Sequence, residues 1–177
     1  MKPPEQIETE RLILRIPRME DVPAIFEGWA QDPEVTRFLT WRPHKQVGET
    51  QWVIRKAIIA WEGDARFPYM LQFKEGGGLA GMMDLRIMIP RVNLGYVVAR
   101  PHWGKGYMTE AVRAVIDWSL QQPIIHRVEA TTDVENAASC RVMEKAGMTR
   151  EGTLRKYILH PSLGNEPRDS FMYAIVK

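Results

Sequence analysis

Arg100-Pro101-His102-Trp103-Gly104-Lys105-Gly106-Tyr107-Met108-Thr109 is the stretch on which the fold turns. An apolar run, Leu94 to Ala99, leads in, and a helical pattern, Tyr107 to Leu120, leads out. The order is strand, tight glycine turn, helix start. N–H groups in the first turn of a helix have no internal partner, and the helix dipole adds partial positive charge there. Glycine lets a ligand approach the backbone closely. The segment therefore predicts a pocket for phosphate groups. It is neither a Walker loop nor a dinucleotide fingerprint, because Tyr107 and Thr109 stand where those patterns need other residues. Taken alone, Gly104-Lys105-Gly106 also fits an ordinary strand-to-helix turn.

About thirty residues further on, a strand-like run from Arg127 to Thr132 precedes Val134-Glu135-Asn136-Ala137-Ala138-Ser139. A short helix opens there and ends at Gly147. Together the two segments resemble the GNAT N-acetyltransferase superfamily. Trp103 to Tyr107 followed by Thr109-Glu110-Ala111 is similar to the branch named for ribosomal-protein N-terminal acetyltransferases. So is Thr9-Glu10-Arg11-Leu12-Ile13-Leu14-Arg15 near the start. The likeness runs from residue 9 to the end of the chain.

The remaining patterns fit one α/β domain over residues 1–177. Leu12, Leu14 and Ile16 alternate as a strand. Asp21 is placed to cap a helix starting Val22-Pro23 and ending near Gln31. Ile54, Ala57, Ile58 and Trp61 share a helix face. Pro68–Phe73 and Leu79–Ile89 flank three glycines as a hairpin, with a turn expected at Arg91-Val92-Asn93. The last strands are expected at Thr153–Leu159 and Ser170–Val176. The sum is a mixed central sheet of about seven strands flanked by helices, matching the GNAT fold that the resemblance implies.

Composition excludes several classes. With 45% apolar residues the chain is not disordered, and a net charge of +2 gives no strong case for nucleic acid or an acidic membrane surface. A single cysteine precludes an internal disulfide and suits a reducing compartment. There is neither an apolar leader nor a run long enough to span a membrane, so the chain reads as cytoplasmic. His44, His102, His126 and His160 show no metal spacing.

The resemblance implies acetyl-CoA as cosubstrate, no metal, and a primary amine as acceptor: a protein N-terminus or a small metabolite. A coenzyme A sensor without turnover is the alternative, and a homodimer is one assembly open to it. The anchor for the pyrophosphate would be Trp103, Gly104, Lys105, Gly106, Tyr107, Met108 and Thr109. Lys105 is equally a solvated lysine, and the Thr109 hydroxyl can back-bond within its helix. Pro101 replaces the Gln or Arg usual in the family. The resemblance places the pantetheine arm against Tyr96, Val97 and Val98, where an N–H near Val97 or Val98 would polarise the thioester, and Tyr96 also reads as packing. Asn136 is a good helix cap by type and, by resemblance, a pantetheine contact. Ser139 is the candidate to orient or reprotonate the thiolate, since Met143 replaces the tyrosine acid of many relatives. The usual base position is Asn93. Glu129 and Asp84 are the substitutes, each also readable as a surface or paired carboxylate, and water relays are open too. Cys140 reads as an inert thiol.

Overall fold

A computed structural model describes residues 1–177 and carries one sheet of eight strands in the order β1-β2-β3-β4-β5-β6-β8-β7. The strands are β1 (Gln6–Glu8), β2 (Leu12–Arg15), β3 (Arg66–Phe73), β4 (Leu79–Met88), β5 (Arg91–Val98), β6 (Arg127–Asp133), β7 (Thr149–Ile158) and β8 (Arg168–Val176). The helices are α1 (Val22–Ile25), running on as a π-helical turn over Phe26–Ala30, then α2 (Pro33–Thr36), α3 (Val47–Ala60), α4 (Tyr107–Gln121) and α5 (Ala137–Lys145). The α/β class stands, with one strand more than the seven expected. The addition, β1, is too short to show an alternating pattern, and its register is set by antiparallel pairing with β2.

Local chemistry explains the other differences. The turn before β5 lies at Ile89-Pro90 rather than at Arg91–Asn93. Proline has no N–H for the ladder, so the chain breaks there and pairing begins at Arg91, opposite Met88. β7 starts at Thr149, earlier than its apolar residues suggest, because it is an edge strand exposed at almost every position. Asp21 does not cap α1. Its carboxylate instead accepts from the Arg18 N–H and forms a two-pronged pair with the Arg15 guanidinium at 2.6 and 2.9 Å. Asp32, just past the expected helix end near Gln31, caps α2 and accepts from the Glu34 N–H at 2.9 Å.

The sheet is covered unequally. On one face, Leu94 of β5 and its neighbours on β3, β4 and β6 pack against Met108, Ala111, Val112 and Val115 of α4, with Tyr96 and Val98 at the margin. Val97 points to the other face, beside Trp29, Val35 and Ile54 of the α1–α3 region. The two faces thus receive alternate residues of β5, as a pleated strand requires.

Candidate active site

β5 and β6 form the sheet's one parallel pair, and their ladder is short, running from Arg91↔Arg127 to Leu94↔Ala130. Beyond Leu94, β5 stays paired with β4 through Gly81↔Val98, while β6 turns to β8 through Asp133↔Ser170. A gap opens between Gly95–Val98 and Thr131–Asp133. The Ala99 N–H donates to Ala80 of β4 at 3.0 Å. Antiparallel pairing alternates, so the Val97 amide also faces β4, and those of Tyr96 and Val98 face the gap. Gly81 makes this possible. A Cβ at that position would sit 2.1 Å from the Val97 carbonyl oxygen.

The glycine loop closes one end of the gap. Gly104 and Gly106 have φ of +74° and +81°, where only glycine is unstrained. The Glu110 N–H is the first in α4 to find a backbone acceptor, Gly106 at 3.0 Å. The N–H groups from Gly104 to Thr109 have no partner within the protein. This is the donor array that a diphosphate requires. The Trp103 indole N–H ties the loop to β5 by donating to the Val98 carbonyl at 2.8 Å. Lys105 offers its carbonyl to Arg11 at 3.1 Å, and its side chain stands outside the cleft. The Tyr107 ring is taken up by Phe73, His102 and the Arg11 guanidinium, and the Met108 side chain is in the core. These two residues therefore contribute main chain to the loop. Thr109 lines the cleft.

α5 borders the gap from the same side. Asn136 caps it, its amide oxygen accepting from the Ser139 N–H at 3.2 Å, so its NH₂ is left for a ligand. The Tyr96 and Ser139 hydroxyls are 2.8 Å apart. Burial raises the Tyr96 pKa well above its ordinary value of 10.0, against a smaller opposing effect from Ser139. The phenol is therefore a proton-bearing partner for Ser139 at neutral pH.

Across the gap, one cleft of about 1400 Å³ continues to Trp29, Phe38, Trp41 and His44. Burial lowers the pKa of His44, and its Nδ1 lies 2.7 Å from the Thr50 hydroxyl. Asp84 lines the cleft but is held by Arg66 at 2.9 Å and Arg86 at 2.6 Å. Glu129 lies elsewhere. It sits at the closed part of the β5–β6 ladder opposite Asn93, outside the cleft, paired to Arg127 at 2.7 Å and Arg91 at 3.2 Å. The structure brings Tyr96, Val98, Asn136 and Ser139 together with the glycine loop and leaves Glu129 out. No group of three or more His, Cys, Asp or Glu side chains gathers as a metal site.

Sequence reasoning missed three residues here. Arg11 braces the loop; its signal was present in the Thr-Glu-Arg opening, without a partner to explain it. Gly81 falls inside the expected Leu79–Ile89 strand, where nothing local marks it out. His160 lines the cleft, buried, with Nδ1 3.3 Å from the Leu39 carbonyl and Nε2 3.7 Å from Asp133.

An acetyltransferase (GNAT) domain model matches residues 11–149. The chain belongs to the GNAT acetyltransferase family. It is 33% identical over 156 residues to the N-acetyltransferase p20 of Bacillus licheniformis, covering 86% of this chain and 87% of that one. It is 25% identical over 166 residues to the ribosomal protein uS5 alanine N-acetyltransferase of Escherichia coli strain K12, covering 89% and 84%. A GNAT-family acetyltransferase from Bacillus anthracis superposes with a TM-score of 0.85 at 29% identity, covering 97% of this chain and 98% of that one. Other solved structures with this fold hold acetyl-CoA or coenzyme A. This GNAT chain is an acetyltransferase enzyme with acetyl-CoA as cosubstrate, and the unpaired amides of its glycine loop fit the diphosphate. No helix of this acetyltransferase is long and apolar enough to cross a membrane.

Proposed function

We propose that the chain transfers the acetyl group directly to a primary amine in a ternary complex, without an acyl-enzyme. The acceptor is a protein N-terminal α-amine or a small-molecule amine, and the setting is the cytoplasm. The observation that carries this reading is the gap beyond Leu94, which joins the glycine loop on one side to an aromatic-lined mouth on the other. Two substrates entering from opposite sides meet beside Tyr96 and Val98.

The residues then divide the work. The Val98 N–H, facing the gap, donates to the oxygen on which negative charge develops as the amine nitrogen attacks the thioester carbon. The C–S bond breaks, and Ser139, backed by the neutral Tyr96 phenol, delivers the proton that the leaving sulfur takes. The amine sheds one proton on becoming an amide, which balances that transfer through water. Neither Asp84 nor Glu129 is free to act as a strong base. That favours amines already partly deprotonated: an α-amino group, with a pKa near 8, over a lysine near 10.4. The uS5 relative is named an alanine N-acetyltransferase, and alanine carries no side-chain amine, which supports the α-amine. Cys140 has no histidine partner and packs against the core.

Thiol release with a panel of peptide N-termini, amino acids, polyamines and aminoglycosides tests the reading. Turnover that tracks low amine pKa is expected. Coenzyme A binding without any thiol release from acetyl-CoA would remove it. Light scattering decides between a monomer and the homodimer left open by the resemblance.

A further inference from the structure

The acceptor side of the cleft carries a charge cluster without balance. Arg66 of β3 and Arg86 of β4 are direct cross-strand neighbours. Like charges in that position repel. Asp84 lies between them, accepting from Arg66 Nε at 2.9 and 3.0 Å and from Arg86 Nη2 at 2.6 Å. Arg86 Nη1 donates to the side-chain oxygen of Asn93 at 3.0 Å. Asn93 is neutral, so two guanidiniums face one carboxylate and the cluster keeps one positive charge. Both Nη groups of Arg66 and the Nε of Arg86 bond nothing, and the two side chains are 48% and 45% exposed within the cleft.

The position of Arg86 gives this charge a meaning. Its two Nη atoms lie 3.7 and 3.8 Å from where a Cβ on Gly95 would stand. Gly95 is the first residue past the ladder, next to Tyr96 at the reacting centre. An attacking amine comes within about 3–3.5 Å of the carbonyl carbon. The amine attacks along Gly95–Val98, a stretch of about 10 Å at most, so a group on a short acceptor that touches Arg86 is within reach of that nitrogen. Guanidinium forks select carboxylate and phosphate oxygens.

We propose that Arg86, with Arg66 beside it, determines acceptor specificity by binding an anionic group, carboxylate or phosphate, carried on the acceptor beside the reacting amine. This rests on the direct-transfer reading above. The same chemistry is offered by a free amino acid or phosphorylated amine and by a polypeptide beginning with Asp or Glu.

The test compares matched acceptors: β-alanine with β-alaninamide, phosphoethanolamine with ethanolamine, and Asp-Ala-Ala amide with Asn-Ala-Ala amide. The anionic member of at least one pair has the higher kcat/KM, by about tenfold or more. The pair that shows it identifies free amine or polypeptide as the source. In Arg86→Gln the ratio falls toward one, Arg86→Lys retains part of it, and Arg66→Gln lowers it if Arg86→Gln does not fold. Melting curves and acetyl-CoA calorimetry accompany each variant. Turnover with ratios near one in every pair, or a ratio unchanged in folded Arg86→Gln, overturns the specificity assignment and leaves direct transfer standing. Acetyl-CoA binding with no turnover of any amine overturns both.

Discussion

Arg11 and Glu110 lie 99 residues apart in the chain and are joined twice, by the Arg11 amide to Oε1 at 2.8 Å and by the guanidinium Nε to Oε2 at 2.7 Å. The same guanidinium reaches the Lys105 carbonyl inside the glycine loop and lies over the Tyr107 ring. The loop's donors thus depend on a strap drawn from the start of the sheet. Replacing Arg11 with Met removes that hold without touching the loop. Calorimetry should show coenzyme A affinity weakened by about tenfold, the scale of one charge-assisted hydrogen bond. Unchanged affinity would mean that the loop holds its shape unaided.

Glu110 adds a pH dependence. Burial raises its pKa, but hydrogen bonds from the Thr9 hydroxyl, the Arg11 amide and the Arg11 guanidinium outweigh this and hold it below the ordinary 4.5. A depressed carboxylate pKa stabilises the fold above the unfolded value, and that contribution is lost as pH falls through the folded one. The melting temperature should therefore drop more steeply below about pH 4.5 in the parent chain than in Glu110→Gln. Parallel curves would show that this carboxylate carries no acid-linked stability.

The hydroxyls of Tyr96 and Ser139, 2.8 Å apart, act as one unit if Ser139 returns the proton to sulfur. Ser139→Ala and Tyr96→Phe should each lower kcat by about tenfold to a hundredfold, while acetyl-CoA affinity changes by only a few fold. The double variant should lose little more than the worse single one, because groups that share one role are not additive. Fully additive losses would separate the two residues.

Much of this site was legible in the chain because its elements are local. The glycine loop and the Asn136 cap each follow from a few consecutive residues whose backbone conformation they determine, and the family resemblance pointed to Ser139 one turn further on. What was hidden depends on pairing across distance. Arg11 needed Glu110, Gly81 needed the Val97 carbonyl, and the neutrality of Asn93 mattered only once Arg86 was beside it. Glu129 illustrates the reverse. Its type suits a base, but ladder register puts it where the two strands have not yet parted, between two arginines. The N-terminal third misled for a similar reason. Asp21 has the right type and place for a helix cap, yet a buried arginine claims its carboxylate.

That pair, Arg15 with Asp21, is buried on both sides at 2.6 Å. Removing one member of a buried ion pair strands the other charge and costs about 3–5 kcal/mol. Asp21→Ala should lose that much in urea unfolding, and Arg15→Met combined with Asp21→Leu should recover most of it. A loss under about 1 kcal/mol for the single change would show the pair to be effectively solvated.

Gly81 offers the sharpest test of how the gap is made. A Cβ there would meet the Val97 carbonyl oxygen at 2.1 Å, the Val98 Cα at 3.0 Å and the Val97 carbonyl carbon at 3.1 Å, all backbone atoms that cannot rotate aside. Gly81→Ala must therefore push β5 away from β4 at the residues that present amides to the thioester. Overpacking of this kind costs about 1–3 kcal/mol. Gly76→Ala serves as the comparison: Gly76 has φ of +74° in the hairpin turn and nothing within 4 Å, so its cost comes from backbone strain alone, about 1–2 kcal/mol. Both variants should melt earlier by similar amounts, while only Gly81→Ala should weaken acetyl-CoA binding and turnover. Equal acetyl-CoA affinity in the two would detach the spacing of β4 and β5 from the chemistry at Val98.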